Sequence, residues 1–226
     1  MTKEEVLKLL EKNKNERGIA NWNRMMGGKI KSYGIGLTKL KKLAKKIVKN
    51  HKLALELWAL PIYDARVLSV LIEEPKEVTE EQVNRQVKDT EYWMMSYIYC
   101  SNLLPKVPFV KEKTVEWASK KDTIQRRCGY LLLYELAKDD SKLPDSFFLP
   151  YLSILEKNIQ KEENFVKDAM NCALFGIGKR SKALNKRAIE AAKKIGKVEV
   201  DYGDNSCQAI DCLKHLTSDN LQKKLA

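Results

Sequence analysis

Three carboxylates, a glycine and a cysteine fall within nine residues in the segment Glu199-Val200-Asp201-Tyr202-Gly203-Asp204-Asn205-Ser206-Cys207. Clustered carboxylates beside a thiol can move protons. With Cys212 and His215 close in sequence, they can also offer oxygen, sulphur and nitrogen to a metal. Their spacing matches no established metal motif. The competing reading is an ordered C-terminal loop in which Asp204 turns the chain and Cys207 is buried at a helix start. No metal or cofactor is expected: no phosphate-binding glycine loop, nucleophile elbow or H-E-x-x-H pattern occurs. His51 follows a run of lysines near a helix end, where an imidazole suits the dipole, and no chemistry is assigned to it.

The basic residues suggest a different function. The chain carries a formal charge of +12, gathered in two stretches. Arg17 to Lys52 holds eleven basic residues and no acidic one, and Lys179 to Lys197 holds eight against Glu190 alone. The rest of the chain is net negative. Concentrated positive charge suits phosphate contact, because each neutralised phosphate releases counterions. Solvated lysine-rich helix faces are the plain alternative. Candidate phosphate contacts are Lys29, Lys31, Arg126, Arg127, and the cluster Lys179, Arg180, Lys182, Lys186 and Arg187.

Few glycines and prolines and a near-continuous helical period place these residues on helices. Val6, Leu7, Leu9 and Leu10 start the first. Thr38 is expected to cap a lysine-rich second. Helices follow over Leu53–Trp58 and Asp64–Ile72, and from a capping box at Thr79 and Gln82 through Val87. Glu91–Leu104, apolar nearly all round, reads as a central buried helix. Val110–Ala118, Thr123–Ala137 capped by Asp122, Asp145–Asn158, Asn164–Ile177, Lys182–Ile195 and Cys207–Leu216 complete the set. The expected fold is all-α, a HEAT-like repeat solenoid in a single domain over 1–226, with 198–226 as a C-terminal extension. No stretch approaches the ~18 apolar residues of a membrane span. The charged N-terminus lacks a signal-peptide core, so a cytoplasmic monomer is expected.

Four segments in order, from roughly 21 to 179, resemble the HEAT-repeat alkylpurine DNA glycosylases of the DNA alkylation repair family. They are Tyr33-Gly34-Ile35-Gly36-Leu37-Thr38 leading into the lysine helix, Glu56-Leu57-Trp58-Ala59-Leu60-Pro61, Ile124-Gln125-Arg126-Arg127 followed by Tyr134-Glu135-Leu136-Ala137-Lys138, and Asn164-Phe165-Val166-Lys167-Asp168-Ala169-Met170. The resemblance implies a C-shaped solenoid whose basic concave face holds duplex DNA. It also implies a base-excision site in which a carboxylate stabilises the cationic sugar, tryptophans pack on the backbone and an arginine steadies a phosphate.

Carried over position by position, Trp93 falls on the tryptophan of the family's Trp-x-x-x-Asp pair, and Arg126 falls on the arginine. Tyr97 stands where the carboxylate is expected and Cys172 where a second tryptophan is expected. A neutral phenol does not replace a carboxylate beside a cation. Neither Asp89 nor Glu91 has the required spacing from Trp93. Trp93, in a run with Tyr92, Met94, Met95 and Tyr97, reads equally as core. The function expected is duplex DNA binding, with glycosylase activity in question. The alternatives are a helical adaptor for a protein or unusual DNA structure, and an enzyme using Asp201, Asp204 and Cys207.

Overall fold

The structure, a computed structural model, describes residues 1–26, 30–138, 143–204 and 206–226. Among the described residues there is no strand, only an isolated backbone bridge between Lys31 and Ile62. The helices are α1 (Lys3–Lys12), α2 (Glu16–Met26), α3 (Leu37–Ile47), α4 (His51–Trp58), α5 (Tyr63–Ile72), α6 (Glu80–Gln86), α7 (Trp93–Asn102), α8 (Val110–Ala118), α9 (Thr123–Ala137), α10 (Asp145–Asn158), α11 (Asn164–Gly178), α12 (Lys182–Ile195), α13 (Cys212–Leu216) and α14 (Asp219–Leu225). They gather into two compact units, one of Met1–Gln86 with Asn102–Pro108, the other of Val87–Ser101 with Phe109–Ala226.

Local chemistry sets most boundaries. Thr2 and Glu5 form a reciprocal capping box at α1, satisfying two backbone donors that the helix leaves open. Asp122 accepts from the Gln125 amide at 2.8 Å and starts α9, and Ser181 does the same for Leu184 at α12. Thr79 receives the Gln82 amide at 3.1 Å, but the Gln82 side chain turns to the buried Glu73 carboxylate at 2.9 Å, so half of the expected box forms. The other oxygen of Glu73 meets His51 Nδ1 at 2.7 Å. His51 therefore opens α4 behind its cap Asn50, a correction to its expected place at a helix C-terminus.

Three further expectations are corrected. The lysine helix starts at Leu37 behind Gly36, one turn position ahead of a Thr38 cap, because Gly36 is already extended and its carbonyl receives the Lys39 and Leu40 amides. Cys207 is exposed and non-helical, and α13 starts at Cys212, capped by Asp211. The central helix runs only from Trp93 to Asn102, and one side of it is open. Helices α2 and α14 were not expected. The indole of Trp22 in α2 donates to the Ile30 carbonyl at 2.7 Å and stacks on Tyr63.

In the first unit α4 packs on α5 and α3 on α5. The buried Asp64 carboxylate accepts from Ser32 Oγ and from the Tyr33 and Ile35 amides at 2.6–3.0 Å, pinning the loop before α3. In the second unit α8 packs on α9, α9 on α11, and α11 on α12. The α8–α9 crossing needs Gly129, where a Cβ would lie 2.2 Å from the Ala118 nitrogen.

Candidate nucleic-acid interface

The candidate site lies within the second unit, on aligned faces of α7, α9 and α11. Trp93 and Tyr97 are four apart on α7, and Phe165, Asp168, Cys172 and Phe175 recur at helical spacing on α11, so each set shares a side. Arg127 ties α9 to α7: its Nη2 donates to the Trp93 carbonyl at 2.6 Å. Its guanidinium lies 5.1 Å over the Phe165 ring. Arg127 is 4% exposed, and its Nε has no hydrogen-bond partner among the described residues. Burial lowers its pKa, an effect opposed by Cys128 and Asp168.

Trp93 is part of an aromatic cluster. Its ring lies nearly parallel to Phe165 at 6.3 Å and edge-on to Tyr202 at 5.7 Å. Tyr202 belongs to the extended segment that sequence reading singled out as the acidic loop. Its hydroxyl donates to Asp168 Oδ1 at 2.6 Å. Burial raises the Asp168 pKa, while the Tyr202 hydrogen bond and Arg127 lower it. Burial and the same carboxylate raise the Tyr202 phenol far above its ordinary range. The site thus contains a carboxylate, supplied by α11 rather than α7. The signal for it in the sequence was a lone aspartate on the otherwise apolar side of Phe165-Val166-Lys167-Asp168-Ala169-Met170.

The segment crosses α11 as a strap. Asn164 and Asp201 exchange backbone–side-chain hydrogen bonds in both directions, and Asn171 donates to the Ile210 carbonyl at 2.8 Å. Gln160 holds the start of the strap through the Ile195 and Lys197 carbonyls. Between strap and helices lies a cavity of about 920 Å³ lined by Asn164, Asn171, Leu174, Val198, Ile210 and Cys212. No three His, Cys, Asp or Glu side chains among the described residues are grouped to hold a metal.

Tyr97, one turn beyond Trp93, is 40% exposed. Burial raises its pKa, and Glu135 adds to the effect. Glu135 is itself raised by burial and restrained by Lys138, with which it pairs at 2.5 Å. Its Oε1 has no hydrogen-bond partner among the described residues. In the sequence Glu135 stands out only as part of the Tyr134–Lys138 segment. Cys172, at the position of the second expected tryptophan, is half-buried.

The expected phosphate contacts divide. Lys182, Lys186 and Arg187 are exposed on α12, and Lys179 lies 4.8 Å over the Phe175 ring. Arg180 is turned inward, paired with Asp145 at 2.9 Å with its side chain 4% exposed, bonded to the Leu143 carbonyl and set over Phe148. Arg126 meets Glu162 at 2.8 Å and the Lys120 and Lys121 carbonyls at 3.0 Å. Lys31 belongs to the first unit, exposed beside the Tyr33 ring at 4.4 Å. Lys29 lies outside the described residues.

Three comparisons bear on these features. A family model described as DNA alkylation repair enzyme matches residues 6–201. The chain is similar to the uncharacterized protein Lin0241 of Listeria innocua, 28% identical over 81% of each chain. It is also similar to the uncharacterized protein Lmo0209 of Listeria monocytogenes, 26% identical over the same shares. A solved structure superposes with a TM-score of 0.87 at 24% identity, covering 100% of this chain and 96% of that one. That protein is described as one of a new family related to the HEAT-like repeat DNA glycosylases, with affinity for branched DNA structures. The fold here is accordingly HEAT-like.

Proposed function

This chain belongs to the DNA alkylation repair family, and from that premise we propose that it binds DNA, branched DNA in particular, without excising a base. The carrying observation is Tyr97. Where the family resemblance expects a carboxylate one turn beyond Trp93, a neutral phenol stands, 40% exposed and raised in pKa. Departure of a cationic base needs fixed negative charge at the sugar. The two nearby carboxylates already have partners, Asp168 in Tyr202 and one oxygen of Glu135 in Lys138.

The DNA contact rests on charge. Lys182, Lys186 and Arg187 stand outward on α12, whose buried side is Leu184, Ala188, Ala191 and Ile195. Exposed ammonium and guanidinium groups at helical spacing suit a phosphate backbone. The preference for branches draws on the affinity described for the structurally similar protein.

The test pairs two assays. Fluorescence anisotropy compares a four-way junction with a linear duplex of the same sequence, and chromatography follows base release from methylated duplex. The expected result is binding to both, tighter to the junction, with no release above buffer. Release that Trp93→Ala abolishes overturns the proposal.

A further inference from the structure

The site has two ends with different fates. Around Trp93, Phe165 and Asp168 the strap lies on top through Tyr202. Around Tyr97 the surface carries aromatic and basic groups, with the Glu135 carboxylate beside them. Tyr134 of α9 lies against α11: a Cβ on Gly176 would come within 2.6 Å of its ring. Phe175 lies one turn beyond Cys172 on the same side of α11. Tyr97 and Cys172 are electrostatic neighbours of the Tyr134 hydroxyl. Phe175 in turn faces the exposed His215 ring at 5.8 Å.

Each of two rings carries a lysine. Lys138 Nζ sits 4.6 Å over Tyr134 and Lys179 Nζ 4.8 Å over Phe175. Lys138 also pairs with Glu135. Half-exposed rings set among ammonium groups are the pattern by which proteins hold unpaired nucleotides: bases stack on the rings, and phosphates meet the cations. A closed duplex hides its base faces and offers such a surface only its backbone and its groove edges.

We propose that this surface is a stacking platform for unpaired deoxynucleotides, with bases lying on Tyr97, Tyr134 and Phe175 and phosphates meeting Lys138 and Lys179. The proposal rests on the DNA-binding reading above and gives it a ligand class: branch points and gaps expose the unpaired bases that linear duplex lacks.

The experiment measures anisotropy of labelled oligothymidylate and of blunt duplex with the full chain and with Tyr97→Ala, Tyr97→Phe and Lys179→Ala, each checked by thermal melting. Tyr97→Ala is expected to weaken oligothymidylate about tenfold, within the range of a lost base stack. Tyr97→Phe keeps the affinity, and blunt-duplex binding moves less than twofold in both. Lys179→Ala, an exposed change, weakens oligothymidylate on its own and reports even if Tyr97→Ala fails to fold. Unchanged oligothymidylate binding in the folded variants, with duplex binding intact, removes the platform and leaves the DNA-binding reading standing. Failure of the unaltered chain to bind either nucleic acid removes both.

Discussion

Nη2 of Arg127 lies 2.6 Å from the carbonyl oxygen of Trp93, so the buried guanidinium of one helix holds the first turn of another. It is also the charge that faces the half-buried Asp168. Arg127→Met removes that bond, leaving the carbonyl with its partner within the helix, Ser96 Oγ at 2.9 Å, and leaves Asp168 without its cation. The expected loss is roughly 3 kcal/mol, the scale of breaking one partner out of a buried polar network. Urea unfolding measures it. Arg127→Lys is expected to recover only part, since an ammonium cannot spread one charge in a plane over Phe165 while reaching the carbonyl.

Asp168 makes stability depend on pH in a definite direction. Burial raises its pKa in the folded chain, so the folded state binds its proton more tightly than the unfolded state. The stability this proton supplies is complete below the ordinary carboxylate pKa and is lost as pH rises through the raised value. Asp168→Asn keeps an acceptor for Tyr202 and cannot ionise. Melting temperature against pH is therefore expected to fall less steeply for Asp168→Asn than for the unaltered chain just above the ordinary carboxylate range. Identical slopes contradict the assignment. Glu135 shifts in the same direction and is present in both proteins, so it cancels in the comparison.

Arg126 and the lysines of α12 are expected to separate structure from binding. The guanidinium of Arg126 is held by Glu162 and two backbone carbonyls. Arg126→Gln should lower stability by about 1–2 kcal/mol and change DNA affinity little. Lys186→Ala, on an exposed position, should do the reverse. Chemical denaturation and anisotropy on the same preparations distinguish the two.

Gly129 tests the packing that carries the site. A methyl there meets the Ala118 backbone, which cannot rotate away. Gly129→Ala is expected to cost about 2 kcal/mol as α8 and α9 are forced apart, seen as a lowered urea midpoint.

How much of this was legible in the sequence follows from where the determining forces lie. Val110–Ala118, Asp145–Asn158 and Lys182–Ile195 were read to the residue because caps and apolar stripes are local. The start of α13 was not: the helix expected from Cys207 begins at Cys212 behind its cap Asp211, and Ile210 before it is held by Asn171 from another helix. Helix α2 escaped notice because Glu16–Met26 buries chiefly Trp22, whose stacking partner Tyr63 is distant in sequence.

The site divides along the same line. Trp93 was found because a family likeness marked it, and its carbonyl's bond to Arg127 was not, since nothing along the chain relates them. Arg180 was read as a surface cation, but Asp145, thirty-five residues earlier, draws it inward. The acidic loop was read either as chemistry or as turn. Its one aromatic residue, Tyr202, instead carries its role, through an aspartate on α11.

Phosphate-backbone recognition through α12 is tested by the salt dependence of DNA affinity. Dissociation constants for a four-way junction, measured across a series of salt concentrations, are compared between the unaltered chain and Lys182→Ala/Lys186→Ala/Arg187→Ala. Log affinity is expected to fall steeply and linearly with log salt, with the slope reduced by roughly one for each contact removed. A shallow slope that the triple variant leaves unchanged contradicts it.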